Sequence, residues 1–297
     1  MTYTISDLEQ LSGIQSHTIR IWEQRYNALQ PMRSEGNTRL YDDDQLRRLL
    51  NIASLNKTGL KISKICNLSP KDFSDLVDQT CLTVKDDALS DYYVSQLIKY
   101  GISFDEPAFA ALLDKGISDL GIQNAYRKVI YPLLVRLGVM WQKDDICPAH
   151  EHFLTHIIKQ KLLSAVNDLG LQPETADTWL LFLPEDEDHD IGLIFANYML
   201  RANGHKVIYL GSKVPLQSLQ KVLKTVNVNR VLFFMVRSRL PVVAQKYIDE
   251  LTVICQGIKI HVAGNNQLIT KLKSIGRINW LKSLDEFDNA IQKTNLL

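Results

Sequence analysis

Trp179-Leu180-Leu181-Phe182-Leu183-Pro184-Glu185-Asp186-Glu187-Asp188-His189-Asp190-Ile191-Gly192 is the stretch on which the fold turns. An unbroken apolar run reads as a strand buried on both faces. Pro184 ends it, an acidic loop follows, and Asp190 is a good N-cap for a helix starting at Ile191. The same unit recurs to the end of the chain. Apolar runs at Trp179–Leu183, Val207–Leu210, Val231–Val236, Ile258–Val262 and Ile278–Leu281 alternate with helical patterns over 191–202, 215–225, 241–254, 266–273 and 284–293. Such repetition predicts a flavodoxin-like (Rossmann-type) five-stranded parallel sheet over residues 171–297. Ligands of such sheets bind beyond the carboxyl ends of the strands, where the strand order reverses. His189 lies on a loop at that edge.

Toward the N-terminus the texture changes twice. Residues 69–170 read as all-helical, with apolar residues at helical spacing near 88–99, 106–119, 122–140 and 149–168. Four segments of that length predict a four-helix bundle, with Pro70, Pro107, Pro132 and Pro148 near helix starts. Residues 1–68 hold shorter helices. Ser6 and Glu9 have capping-box spacing for a first helix through Leu11, Ser12-Gly13 breaks it, and Ser16 caps a second helix to Tyr26. Asp42 and Gln45 repeat that spacing before a third helix, Leu46–Lys57, ended by Gly59. Helix, Ser-Gly turn, helix is helix-turn-helix spacing. The second helix presents His17, Thr18, Arg20, Gln24 and Arg25, side chains suited to phosphates and base edges. Gly36-Asn37 between short extended arms reads as a hairpin, a wing carrying Arg33 and Arg39.

Composition sets bounds. At 297 residues the chain accommodates two or three domains. The net charge of +1 excludes a polycation, so any nucleic-acid surface is local. Residues 1–65 hold 9 Lys and Arg against 7 Asp and Glu, and the arginines fall on the second helix, the wing and the third helix (Arg47, Arg48). A solvated basic face would carry the same charges. No pair among Cys66, Cys81, Cys147 and Cys255 has CxxC spacing, and scattered thiols fit a reducing compartment. The opening MTYTISDLEQ lacks the segments of a leader peptide, and no apolar run approaches the ~20 residues of a membrane span. The expectation is a cytoplasmic protein.

Three groups of residues carry the functional reading. A lone loop histidine is usually just solvated, but Glu187 can accept the proton of the second imidazole nitrogen and so make His189 a better metal ligand. Gly192 leaves room for a bulky ligand near the backbone. The cluster from Glu185 to Asp190 is also compatible with Mg²⁺, as in receiver-like folds, although the third strand ends Phe234-Met235-Val236 without the aspartate such a site needs. In the bundle, His150-Glu151-His152 invites a zinc HExxH reading. Leu154 stands where the second histidine belongs, and only His152 and His156 keep i,i+4 spacing for a shared metal.

These residues resemble known families. Tyr3-Thr4-Ile5, Ile19-Arg20-Ile21-Trp22-Glu23-Gln24-Arg25-Tyr26 and Arg39-Leu40-Tyr41 resemble the MerR family. The resemblance implies that Arg20, Trp22, Tyr26, Arg39 and Tyr41 contact DNA or hold the wing, with Trp22 also suited to core packing. Glu187-x-His189-x-x-Gly192, followed by Gly204-His205-Lys206-Val207, Gly211 and Pro215, resembles the base-off, His-on cobalamin-binding domain, which implies that His189 is the lower axial ligand of cobalt. Trp141 followed after nine residues by Glu151-His152 resembles the bundle of CarH/LitR-type photoreceptors, which implies a cap over the upper face of adenosylcobalamin. There are departures. Phe234 stands where the cobalamin family has serine or threonine, with Ser238 close by; Gly264-Asn265 stands for Gly-Gly; and Gln142 stands where some photoreceptors have histidine.

The resemblance implies a non-enzymatic repressor that binds operator DNA as an adenosylcobalamin-bound oligomer, a dimer or tetramer, in darkness and is released by light. MerR proteins dimerise through a long helix. Here the third helix ends near Gly59 without a heptad run, so assembly falls to the later domains. Two alternatives stay open: a MerR-type regulator whose sheet domain is a cofactor-free interaction module, and a fragment of a cobalamin-dependent methyltransferase or mutase. The second lacks any substrate barrel.

Overall fold

The computed structural model of the chain describes residues 2–12, 14–34, 36–57, 59–73, 75–76, 86–142, 147–170 and 177–292. They form two compact units, Met1–Ile157 and Ile158–Leu297.

The first unit opens with β1 (Thr2–Tyr3), α1 (Ile5–Ser12) and α2 (Ser16–Tyr26), followed by β2 (Met32–Arg33), β3 (Arg39–Asp42) and α3 (Asp43–Lys57). β3 is central in a small antiparallel sheet, pairing Tyr41 with Tyr3 and Arg39 with Arg33. The helix-turn-helix and wing are present, but the helix starts differ from the sequence expectation. Thr4, not Ser6, caps α1: the Asp7 amide donates to Thr4 Oγ1 at 3.3 Å and the Thr4 amide to Asp7 Oδ2 at 2.6 Å. This is the capping-box reciprocity moved earlier in the chain. Ser16 is already helical, and both its amide and hydroxyl donate to Glu9, tying α2 to α1. Asp42 does cap α3, accepting from the Gln45 amide at 2.8 Å, while Gln45 turns its own side chain to the Gln30 amide. At the wing tip the left-handed residue is Asn37, with φ 60.

α3 does not extend into a long helix. It stops at Lys57, α4 (Ile62–Cys66) follows, and α3 packs against α5 (Asp86–Ile102), where buried Gln96 donates to Asn51 Oδ1 at 2.5 Å. The bundle continues with α6 (Glu106–Leu120), α7 (Ile122–Ala125), α8 (Tyr131–Gln142) and α9 (Pro148–Asp168). Asp105 caps α6 through the Ala108 amide at 3.1 Å. The single helix expected over 122–140 is interrupted by a π-helical turn, Tyr126–Ile130, whose wider spacing buries Tyr126, Val129 and Ile130. Gly101 allows close helix packing, since a Cβ there would strike the Leu154 side chain.

The second unit holds β4 (Thr178–Pro184), α10 (Ile191–Ala202), β5 (Lys206–Val214), α11 (Leu216–Thr225), β6 (Arg230–Met235), α12 (Pro241–Ile254), β7 (Lys259–Gly264), α13 (Asn266–Ile269), β8 (Asn279–Trp280) and α14 (Leu284–Gln292). The strands are parallel, in the order β5-β4-β6-β7-β8. β4 is buried throughout, as its unbroken apolar run requires. Leu180 pairs with Ile208 on one side and Val231 on the other, and Val231 pairs with Ile260. Leu219, Ile248 and Leu251 close over this core. The chain goes from β4 outward to β5 and then back across to β6. The reversal point therefore lies between the carboxyl ends of β4 and β6, where such sheets open a ligand crevice.

Candidate functional site

Glu23 organises the helix-turn-helix and wing. It accepts from Arg39 Nε at 2.9 Å through one oxygen and from the buried Tyr41 hydroxyl at 2.8 Å through the other. A carboxylate on α2 thus fastens the wing strand to the helix. Burial, then the hydrogen bond to Glu23, push the Tyr41 phenol far above its ordinary pKa, so it stays a donor. Asn27, in the left-handed conformation with φ 49, stops α2 by donating to the Trp22 and Glu23 carbonyls. This frame leaves His17, Arg20, Gln24 and Arg25 exposed on α2, with Arg33 exposed on the wing. Thr18, Trp22 and Tyr26 are half-buried. Arg33 is steadied by Asn37 Oδ1 at 2.5 Å. Arg48, expected to add to the basic surface, instead donates to the Ala28 carbonyl at 2.8 Å and lies over the Phe73 ring. The side chain of Arg47 lies outside the described residues.

In the bundle, Glu151 and His152 stand together near the start of α9, with Glu151 Oε2 3.3 Å from His152 Nδ1. His152 is exposed; Trp141 and Gln142 fall at the end of α8, their side chains outside the described residues. His156 Nδ1 is engaged by the His152 carbonyl at 2.6 Å. Among the described residues the only group of three or more His, Cys, Asp or Glu side chains close enough to hold a metal is Glu187, Asp188 and His189, and His152 and His156 belong to no such group. His150 is buried, stacks on Phe104 at 4.4 Å, and burial lowers its pKa.

The second site sits at the reversal point. β4 ends at Pro184, and the loop turns Glu187 fully into the interior while His189 stays half exposed. Glu187 Oε1 meets His189 Nδ1 at 2.5 Å. Its Oε2 reaches across the crevice to the end of β6, accepting from the Val236 amide at 2.8 Å, the Arg237 amide at 2.7 Å and Arg239 Nη2 at 3.3 Å. Burial alone would raise the carboxyl pKa, but the bonds from His189 and the Arg237 amide outweigh it and hold Glu187 at about 2. An anion of this kind fixes the imidazole tautomer and orientation.

The neighbouring residues depart from expectation in instructive ways. Asp190 stands at the N-cap position of α10 without a capping bond from its side chain, which pairs with Lys159 at 2.7 Å. Gly192 does open space, and the Phe234 ring takes it: a Cβ on Gly192 would lie 3.0 Å from that ring. Gly264 has φ 127, and a Cβ there would collide with the Met235 carbonyl, so only glycine lets β7 pass so close to β6. Asn265 accepts from the Leu268 amide at 3.2 Å and reaches the exposed Ser238 hydroxyl at 3.5 Å. Glu23, as the wing fastener, and Arg239 are the residues that sequence reasoning missed.

This combination defines a class: a DNA-binding module joined to an α/β unit with a carboxylate-anchored histidine at its ligand edge. Residues 3–71 match the family model of the MerR HTH family regulatory protein, and residues 93–163 match that of the B12 binding domain. The chain is thus a MerR-type transcriptional regulator with a B12-binding domain, make-up that implies DNA and cobalamin as its partners. It is 27% identical to the HTH-type transcriptional repressor CarH of Myxococcus xanthus over 89% of each chain. It is 26% identical to the repressor CarA of that organism, over 89% of this chain and 87% of CarA. The monomethylamine corrinoid protein of Methanosarcina barkeri shares the fold, at TM-score 0.54 and 15% identity, over 67% of this chain and 96% of that one.

The residues present fit a cobalamin. A half-exposed imidazole with one nitrogen committed to a buried carboxylate is a donor set suited to cobalt through the other nitrogen.

Proposed function

We propose that this chain is a repressor whose hold on operator DNA is set by adenosylcobalamin and light through its oligomeric state. The observation that carries the reading is the Glu187–His189 pair at the sheet's reversal point, in a chain that also bears a helix-turn-helix. We divide the labour among residues 1–68 for DNA, 69–170 for the upper face of the cofactor and 171–297 for its lower face. His17, Thr18, Arg20, Arg25 and Arg33 meet the duplex, while Trp22, Tyr26, Arg39 and Tyr41 keep helix and wing in register. His189 would hold cobalt, with Glu187 orienting the ring through its Nδ1 side. Gly192, Ser238 and Gly264 border the crevice. Trp141, Glu151 and His152 would sense the adenosyl group, an indole being suited to a nucleoside and the polar pair to ribose hydroxyls.

Bound adenosylcobalamin supplies a light-cleavable cobalt–carbon bond and nothing else that the reading requires. The chain converts its loss into a changed DNA affinity only by binding the two cofactor states unequally. Because α3 ends at Lys57 and is covered by α5, self-association uses surfaces other than a MerR-type dimerisation helix. No helix among the described residues is long and apolar enough to cross a membrane, and we assign the regulator to the cytoplasm. The helix-turn-helix module and the resemblance to transcriptional repressors support a non-enzymatic role.

Light-scattering mass and operator affinity, measured on apo, dark-loaded and illuminated protein, test this. The proposal expects a larger dark-loaded species that binds DNA and dissociates under green light. One mass and one affinity in all three samples would reject it. A second reading, a cofactor-free interaction module, draws on the Phe234 ring packed over Gly192. It predicts no cobalamin uptake at all.

A further inference from the structure

Arg239 lies in the loop between β6 and α12, on the far side of the crevice from the histidine. Its side chain is 7% exposed, and its guanidinium forks between two carboxylates: Nη1 is 3.1 Å from Asp186 Oδ1 and Nη2 is 3.3 Å from Glu187 Oε2. A guanidinium withdrawn this far from water is costly unless both ends are paired, and both partners come from the histidine loop. The planar fork suits two acceptors at once, which an ammonium does not match. The neighbouring Arg237 is exposed; its side chain donates to the Asp186 carbonyl at 3.4 Å, and its amide serves Glu187.

The consequence falls on the imidazole. Glu187 has one oxygen for the β6 side and one for His189. Arg239 adds a third donor to the pair of amides on Oε2, so the carboxylate is held against rotation. Oε1 is then left directed at His189 Nδ1, which fixes Nε2 as the nitrogen offered to a metal. We propose that Arg239 is a positioning residue for the axial histidine, acting through Glu187. This rests on the reading of His189 as the cobalt ligand.

The test uses the full chain and cob(II)alamin, with Arg239→Met, Arg239→Lys, Arg237→Met and His189→Ala. Electron paramagnetic resonance reports whether a protein imidazole nitrogen is bound to cobalt, and nitrogen NMR of the apo protein reports the His189 tautomer. The wild type and Arg237→Met should give the imidazole-coupled spectrum, and His189→Ala should lose it. Arg239→Met should bind about 10-fold more weakly, lose most of the imidazole-coupled signal and show a mixed His189 tautomer, with unchanged circular dichroism. Arg239→Lys should recover only part of the signal, since it restores charge without the fork. If His189→Ala keeps the coupling, the ligand assignment itself is wrong. If His189→Ala loses it while Arg239→Met keeps wild-type coupling and a single tautomer, the role of Arg239 is refuted. Should Arg239→Met fail to fold, the Lys variant decides: wild-type coupling and tautomer in it would refute the fork.

Discussion

Each unit of this protein is organised by one glutamate, and the two glutamates work under different conditions. Glu23 is partly exposed and joins a helix to the wing through Arg39 and Tyr41. Glu187 is wholly buried and joins two loops across a crevice through His189, two amides and Arg239. On the proposed reading, the first keeps an outer surface of arginines in order for a polyanion, and the second keeps a single imidazole in one orientation for a metal. The depth of burial sets how much each is worth, because an unmatched charge costs far more out of water than in it.

Glu187→Ala should therefore be the most damaging change. It leaves Arg239 buried without one of its partners, and should destabilise the second unit by about 3–5 kcal/mol in chemical denaturation. A loss under about 1 kcal/mol would show that the crevice network is not structural.

Acid should separate the units next. His261 is buried against Trp179, and burial first, then Arg230 and Lys259, lower its pKa from 6.5 to about 4. The unfolded chain then takes up the proton before the folded one does. Stability contributed by the neutral ring is complete above pH 6.5 and is lost as pH falls toward about 4, by up to about 3 kcal/mol. Hydrogen exchange of the β7 amides across that range should show the loss, and His261→Gln should flatten it. A pH-independent wild type would contradict the burial argument.

Glu23→Ala should cost less, about 1–2 kcal/mol, because Arg39 is partly exposed and can turn to water, leaving only the neutral Tyr41 hydroxyl buried without its partner. Its effect on DNA sharpens the comparison. If Arg39 acts through Glu23, then Glu23→Ala and Arg39→Ala should weaken operator binding non-additively and leave the salt slope unchanged. Additive losses with a reduced slope would instead make Arg39 a phosphate contact. The smallest effect is expected at Arg20→Ala, where one lost phosphate contact lowers the salt slope by about one.

The histidine loop was readable because its signals are local. An apolar run, a loop and a helix follow one another, and Glu187 is two residues from His189. The helical patterns over 191–202 and 241–254 coincide with α10 and α12 for the same reason. What the loop is anchored to was not readable, since Val236, Arg237 and Arg239 lie 49 to 52 positions away and meet Glu187 only through strand order. Glu23 was hidden likewise, its partner Tyr41 being 18 positions distant. The start of α1 was misplaced because Thr4 and Ser6 are both competent caps, and it is Thr4 that exchanges bonds with Asp7. The π-helical turn at Tyr126–Ile130 leaves no periodic mark that a helix lacks. Gly192 was read as room for a ligand, and only packing shows Phe234 in that room.

The central claim is that Glu187 and His189 form a metal-ligating pair, and absorption spectroscopy of the full chain with added cobalamin tests it most directly. The account predicts a base-off, His-on spectrum in the wild type, weakened about 10-fold or more in affinity by Glu187→Ala and abolished by His189→Ala. A His189→Ala protein that binds cobalamin with the wild-type spectrum would contradict it.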